Sequence, residues 1–163
     1  MAAMKDEALL ANAMPFLEKT NNGPLSTDVQ TRILNGMSSL KPRAKTLIEL
    51  AEQAHYLMDI RPIEITGKKA KPLKREGAIE LLSALTQALK SRKDPIWTSE
   101  ALQTVITNFA EEREIGFGRI GQPVRASLTG GSPSPDLSIV LALLGQDEVI
   151  GRLDDAIATY SAQ

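Results

Sequence analysis

Apolar residues recur along this chain at intervals of three and four, the spacing of one face of an α-helix. Val29, Ile33, Leu34, Met37 and Leu40 make one such series, and Thr27 followed three positions later by Gln30 predicts a capping box at its start. Pro42 suits the first position of a second helix, with Ala44, Leu47, Ile48, Ala51, Ala54 and Met58 as its apolar face. Ala78, Leu82, Leu85 and Leu89 predict a third, over roughly 74 to 89. Thr98 is a good N-cap for a fourth, which turns Leu102, Val105, Ile106 and Phe109 inward. Val149, Ile150, Leu153, Ala156 and Ile157 predict a last helix from about 147 to 160, and an opening helix runs from about 5 to 17. The alternation of a strand is confined to Ile63-Glu64-Ile65-Thr66, which stands alone. The expected fold class is all-α.

The breaks divide these elements. Asn21-Asn22-Gly23-Pro24 separates the first two helices, and residues 60 to 72 read as a long polar loop. Gly116 to Gly121 and Thr129 to Pro135 read as glycine and proline punctuation. The Gly116–Gly121 run is not a phosphate loop by its pattern, because it follows a helix and lacks Gly-Lys-Ser/Thr. No internal repeat is visible. Longer helices before residue 95 give way to shorter ones joined by Gly/Pro turns, so two helical subdomains are expected, 1–95 and 96–163.

Composition narrows the chemistry. The 163 residues include no cysteine and one histidine, His55, which excludes disulfides, thiolate metal sites and multi-histidine sites. Apolar residues are 42% and charged residues 24%, a globular balance. The longest apolar run, residues 139 to 144, is far short of a membrane span, and the first residues show no apolar leader. The expected compartment is the cytoplasm, with no membrane partner. Neither a Gly-x-Ser-x-Gly elbow nor a Walker loop is present. Adjacent carboxylates such as Glu111/Glu112 and Asp154/Asp155 point in different directions on a helix and read as solvated faces, and His55 reads as a packed or surface histidine without a sequence-local partner. Catalytic residues and metal ligands are therefore expected to be absent from this chain. Net charge is −1, which alone gives no argument for nucleic acid, but Arg61, Lys68, Lys69, Lys71, Lys74 and Arg75 face a single acid, Glu64, in the same stretch. That stretch is either a solvated loop or a phosphate-facing edge.

The most specific segment runs from Gly121 to Gly145. Pro123 predicts the start of a short helix with Arg125 on its first turn, and Ser134 with Pro135 predicts the cap and first position of another. The Ser134 hydroxyl, the amides after it and the Arg125 fork would then converge on one small polar target. The alternative is a helix hairpin whose arginine only pairs with an acid.

Gln122-Pro-Val-Arg-Ala-Ser-Leu-Thr-Gly130, Ser134-Pro135 and Leu141-Ala-Leu-Leu-Gly145 resemble the C-terminal end of bacterial glutamyl-tRNA synthetases. Trp97-Thr98, Phe109-Ala110 and Arg152-Leu153-Asp154-Asp155-Ala156-Ile157 extend the likeness, and Lys41 to Leu47 with Ala54-His55-Tyr56-Leu57 resembles that family's earlier anticodon-binding helices. The resemblance covers nearly the whole chain but only the anticodon-binding half of such an enzyme. It implies an all-helical, helix-cage bundle of two subdomains that binds the anticodon loop of glutamate tRNA. By the same resemblance Arg125 reads the first anticodon base, Ser134, Pro135 and Leu137 help hold the first two, Arg43 reads the third, and Gln122 belongs to the same site. Lys68, Lys69, Lys71 and Lys74 are the candidate phosphate contacts.

Two positions depart from the family pattern. Asp136 stands where glycine is common, placing a negative charge near the RNA, and Ser134 stands where some members have threonine, which keeps the hydroxyl. The family's His-Ile-Gly-His-like and Lys-(Ile/Leu)-Ser-Lys-Arg motifs are absent. The chain is therefore expected to be a monomeric piece of a larger ATP-dependent glutamate–tRNA ligase, inactive alone. ATP and Mg are expected in the catalytic half of the same polypeptide, which is a partner of this one. The alternatives are a free-standing, non-catalytic tRNA-binding protein derived from a synthetase and a helical protein-interaction module.

Overall fold

Caps and breaks set the helix ends. In the computed structural model, which describes residues 3–65, 67–92 and 96–161, every regular element is helical and none of those residues lies in a strand. Ile63 to Ile65 is irregular, and Thr66 lies outside the described residues. The chain forms two compact units, Met1–Ile60 and Arg61–Gln163.

The first unit contains α1 (Asp6–Asn21), α2 (Thr27–Asn35), α3 (Met37–Leu40), a 3-10 turn (Lys41–Arg43), α4 (Leu47–Gln53) and α5 (His55–Met58). α1 packs on α4, α2 and α5, burying Leu9, Ala13 and Leu17 with Ile33, Leu50 and Leu57. Each such side chain contributes about 1.5–3 kcal/mol by leaving water. The cap of α2 is Ser26, not Thr27: its hydroxyl accepts from the Val29 amide at 3.3 Å. Gln30 does not close a box but donates Nε2 to the Leu25 carbonyl at 3.0 Å. The helix that Pro42 was expected to start is broken in two places. Pro42 sits in the 3-10 turn and Ala44 is extended, with φ −125° and ψ 131°. Thr46 then opens α4 by accepting from the Glu49 amide at 3.1 Å; its hydroxyl competes with helix continuation for the backbone. His55 does have a local partner, since Asp59 four residues on accepts at Nδ1, 2.9 Å away.

The second unit contains a 3-10 turn (Gly67–Ala70), α6 (Lys71–Lys74), α7 (Ala78–Lys90), α8 (Ser99–Glu112), α9 (Phe117–Thr129), α10 (Leu137–Leu144) and α11 (Gln146–Tyr160). The polar stretch 60 to 72 is thus partly helical. α9 touches α6, α7, α8, α10 and α11, and its Ile120, Val124 and Leu128 are buried with Leu82, Leu85, Val149 and Leu153. Thr98 caps α8 as expected, accepting from the Ala101 amide at 3.3 Å. The boundary between units falls at 60/61 because α7 buries its apolar stripe against α9 and α11. The boundary expected at 95/96 touches Pro95, which lies outside the described residues.

Candidate nucleic-acid interface

The basic stretch and the Gly121–Pro135 segment meet on one face of the second unit. α9 begins at Phe117 with Gly116 as its flanking residue, so the glycine run expected as punctuation is its first turns. Pro123 therefore stands inside a helix rather than at its start. It lacks the N–H that would bond the Arg119 carbonyl; the buried Ile120, Gly121 and Val124 hold the turn instead. A Cβ on Gly121 would come within 3.2 Å of the Phe117 ring, so this glycine lets the ring lie along the helix. Arg125 consequently projects from the third turn of α9, not the first.

Arg125 is half-buried and already engaged. Its Nη1 donates to the Ser134 hydroxyl, to the Pro135 carbonyl at 2.7 Å and to the Ser134 carbonyl at 3.4 Å. None of these is a carboxylate. Ser134 does not cap the next helix: α10 starts at Leu137 after Asp136, with no side-chain cap, because the Ser134 hydroxyl serves Arg125. Asp136 is exposed, Pro135 is buried, and Leu137 is 2% exposed, packed into the core. Thr129 stiffens the connection, its hydroxyl donating to the Arg125 carbonyl at 2.8 Å and accepting from the Gly131 amide at 3.2 Å. Gly130 ends α9 with φ 71°, and a Cβ there would stand 2.9 Å from the Glu64 carbonyl. At Gly131, φ 88°, a Cβ would meet the stem of Lys69 at 2.8 Å. The glycine pair thus lets the basic segment approach the end of α9.

The result is an open groove of about 330 Å³ lined by Lys68, Lys69, Gln122 and Arg125, with Pro72, Ala126 and Gly131 as its apolar floor. Among the described residues no carboxylate lines it. Gln122 is exposed, and Arg75 Nη1 donates to its Oε1 at 2.9 Å. Lys71 and Lys74 are exposed on α6 outside this groove. Arg43 belongs to the first unit; it is exposed, and its carbonyl accepts from Gln53 Nε2 at 2.6 Å.

Two contacts that hold this face together have no local signature. Arg75 lies 47 positions before Gln122 in the chain. Arg152, 1% exposed, donates Nη1 to the Leu128 carbonyl at 2.6 Å and Nε to Glu148 at 2.9 Å, bracing the end of α9 that carries Arg125. The segment leading into the basic stretch is tied down as well. Arg61 forks onto Asp155 through Nε at 2.8 Å and Nη2 at 3.0 Å, and Tyr160 donates its hydroxyl to the Ile65 carbonyl at 3.0 Å. The hydrogen bonds from Arg61 hold the Asp155 carboxyl below its usual value, and the same contact raises Arg61.

Residues 8–157 match the family model described as an anticodon binding domain. The chain is 41% identical over 164 residues to a glutamate–tRNA ligase 2 of Maricaulis maris, covering 100% of this chain and 34% of that protein. It is 40% identical to a glutamate–tRNA ligase 2 of Zymomonas mobilis, over 94% of this chain and 31% of that one. Among solved structures, a glutamate tRNA ligase from Elizabethkingia meningosepticum in complex with its amino acid superposes with a TM-score of 0.77 at 26% identity, covering 96% of this chain and 30% of that one. The chain spans about a third of the length of the curated relatives it matches.

Proposed function

The chain belongs to the anticodon binding domain family, and from that premise we propose that it reads the anticodon of glutamate tRNA as part of a class I glutamate–tRNA ligase. The carrying observation is the groove in which Lys68, Lys69, Gln122 and Arg125 converge with no carboxylate among the described lining residues. Single-stranded RNA is read by unstacking its bases and hydrogen-bonding their edges, while cations hold the phosphates. Arg125 suits the first task because its fork is planar and its Nη1 is anchored by the loop, which fixes the remaining edge in space. Lys68 and Lys69 suit the second, with Lys71 and Lys74 on the neighbouring turn. Arg43 serves the third base from the first unit. Ser134 and Pro135 act by holding Arg125, and Leu137, buried at the start of α10, acts by anchoring the loop that carries them.

In this reading the remainder of the polypeptide is the catalytic partner, and the molecule works as a monomer in the cytoplasm. ATP and Mg bind in that remainder and supply the activation of glutamate; among the described residues of this chain no group of three or more His, Asp or Glu side chains is placed to hold a metal ion. The chain alone makes no glutamyl adenylate, which an ATP–pyrophosphate exchange assay checks. The decisive experiment is fluorescence anisotropy with transcribed anticodon stem-loops of glutamate, glutamine and an unrelated tRNA. Tighter binding of the glutamate stem-loop supports the proposal; equal binding of all three sinks it.

A further inference from the structure

Resting on that reading, we propose that Arg75 is a positioning residue that sets the base preference of the groove by fixing the Gln122 side-chain amide. An amide ends in an acceptor oxygen on one side and a two-proton donor on the other, nearly alike in shape. Left alone on the exposed face of α9, Gln122 would present either end to a ligand. Arg75 removes that choice. Its guanidinium carries donors only, and its Nη1 lies 2.9 Å from Gln122 Oε1, so the oxygen is committed to Arg75 and the NH2 is the end left for a ligand. Arg75 is itself placed by the backbone: its carbonyl accepts from the Ala78 amide at 3.0 Å, and Gly77 turns the chain with φ 79°.

Every polar side chain lining the groove is then a donor. Lys68 and Lys69 offer ammonium groups and Arg125 the rest of its fork, while the Ser134 and Pro135 carbonyls are occupied by Arg125 Nη1. A surface that offers donors alone selects a base edge that offers acceptors. A ring carbonyl is satisfied there; an exocyclic amino group meets no acceptor and loses its water on binding. The ligand class is a single-stranded nucleotide recognised through a carbonyl-bearing edge, and Arg75 acts on it only through Gln122.

The test uses the whole chain and anticodon stem-loops in which a uridine is replaced by cytidine at one anticodon position at a time, exchanging a ring carbonyl for an amino group. The readout is the ratio of the two dissociation constants. Arg75→Gln supplies a side chain that also accepts, freeing the Gln122 amide to turn. Its ratio should fall roughly fivefold at one position, the change one neutral hydrogen bond carries. In a Gln122→Ala background the same substitution should leave the ratio unchanged. Both positions are exposed, and matching melting curves establish that the variants fold. An equal loss of affinity for every stem-loop overturns the proposal and makes Arg75 a phosphate contact; so does a shift that persists without Gln122. A parent chain with no base preference at any position overturns the anticodon reading as well, and shows this before any substitution is made.

Discussion

Replacing Arg152 with methionine should cost the protein about 2–3 kcal/mol. Arg152 is a cation in the interior of the second unit, 1% exposed, and its Nη1 supplies a hydrogen bond to the Leu128 carbonyl. That carbonyl is one of the last four of α9, which have no partner within the helix. Arg152→Met strands it beneath α11, a desolvation loss of about 1–3 kcal/mol. The bond from Nε to Glu148 adds little, about 0.3–0.5 kcal/mol, because Glu148 is an i,i+4 neighbour whose side chain is 25% exposed and can return to water. Methionine recovers part of the aliphatic packing but neither hydrogen bond, which leaves the total at about 2–3 kcal/mol. For a chain of this length each kcal/mol moves the melting temperature by about 2–4 °C, so a fall of about 4–12 °C is expected in a circular-dichroism melt. Glu148→Gln, which leaves Arg152 on Leu128, should move it by about 2 °C or less. A melt of Arg152→Met within about 1 °C of the parent would refute the reasoning and make Arg152 an ornament of the core rather than a brace.

Gly130→Ala should destabilise by about 1–3 kcal/mol, read by urea titration, because alanine pays for the left-handed backbone at φ 71° and its Cβ crowds the Glu64 carbonyl; a neutral result would mean the turn relaxes freely. The Arg61–Asp155 fork should give a pH-dependent stability term. The Asp155 carboxyl is lowered in the folded chain, so its contribution is whole above the ordinary carboxylate value of about 3.9 and drains away as pH falls through the lowered value. Asp155→Asn should remove that acid limb, worth at most about 1 kcal/mol for a pair this exposed, and parallel acid titrations of the two proteins would contradict it. Stem-loop binding should fall steeply with salt, and removing both Lys68 and Lys69 should lessen the slope of log K against log salt by about 1.4, at roughly 0.7 per single-strand phosphate contact; an unchanged slope would take these lysines off the phosphates.

Helices were legible because burial imposes a period of 3.6, and a run such as Leu82, Leu85 and Leu89 has few other uses. Their ends were less legible, since several residues compete to cap. Ser26 and Thr27 are both good caps, and only the backbone geometry decides for Ser26. Proline misled in one consistent way. Both Pro42 and Pro123 suit a first helical position, yet Pro42 lies in a 3-10 turn and Pro123 within α9, where packing around Ile120 and Val124 outweighs one missing hydrogen bond. The division at 60/61 follows from which helices α7 packs against, and the composition near residue 95 carries no information about that packing.

The candidate site divides along the same line. Arg125, Ser134 and Pro135 stand within about ten residues of one another, so the sequence brings them together and only their mutual roles needed the structure. By sequence alone the Ser134 hydroxyl and the Arg125 fork point jointly at a ligand, whereas in the structure Ser134 accepts from Arg125. That difference changes the expected chemistry. A free arginine gains affinity for any anion it reaches but must lose rotamer freedom on each encounter. An arginine already held at Nη1 by three loop oxygens loses less, and it meets the ligand with one edge at one angle. Arg75 does for Gln122 what the loop does for Arg125, from 47 residues away, through a pairing no local pattern announces. Both contacts spend a donor or acceptor inside the protein that would otherwise be offered to RNA. Under the proposed function the expected gain is therefore in discrimination between bases rather than in affinity for the backbone, since a chain with a net charge of −1 has little general attraction for phosphate to rely on.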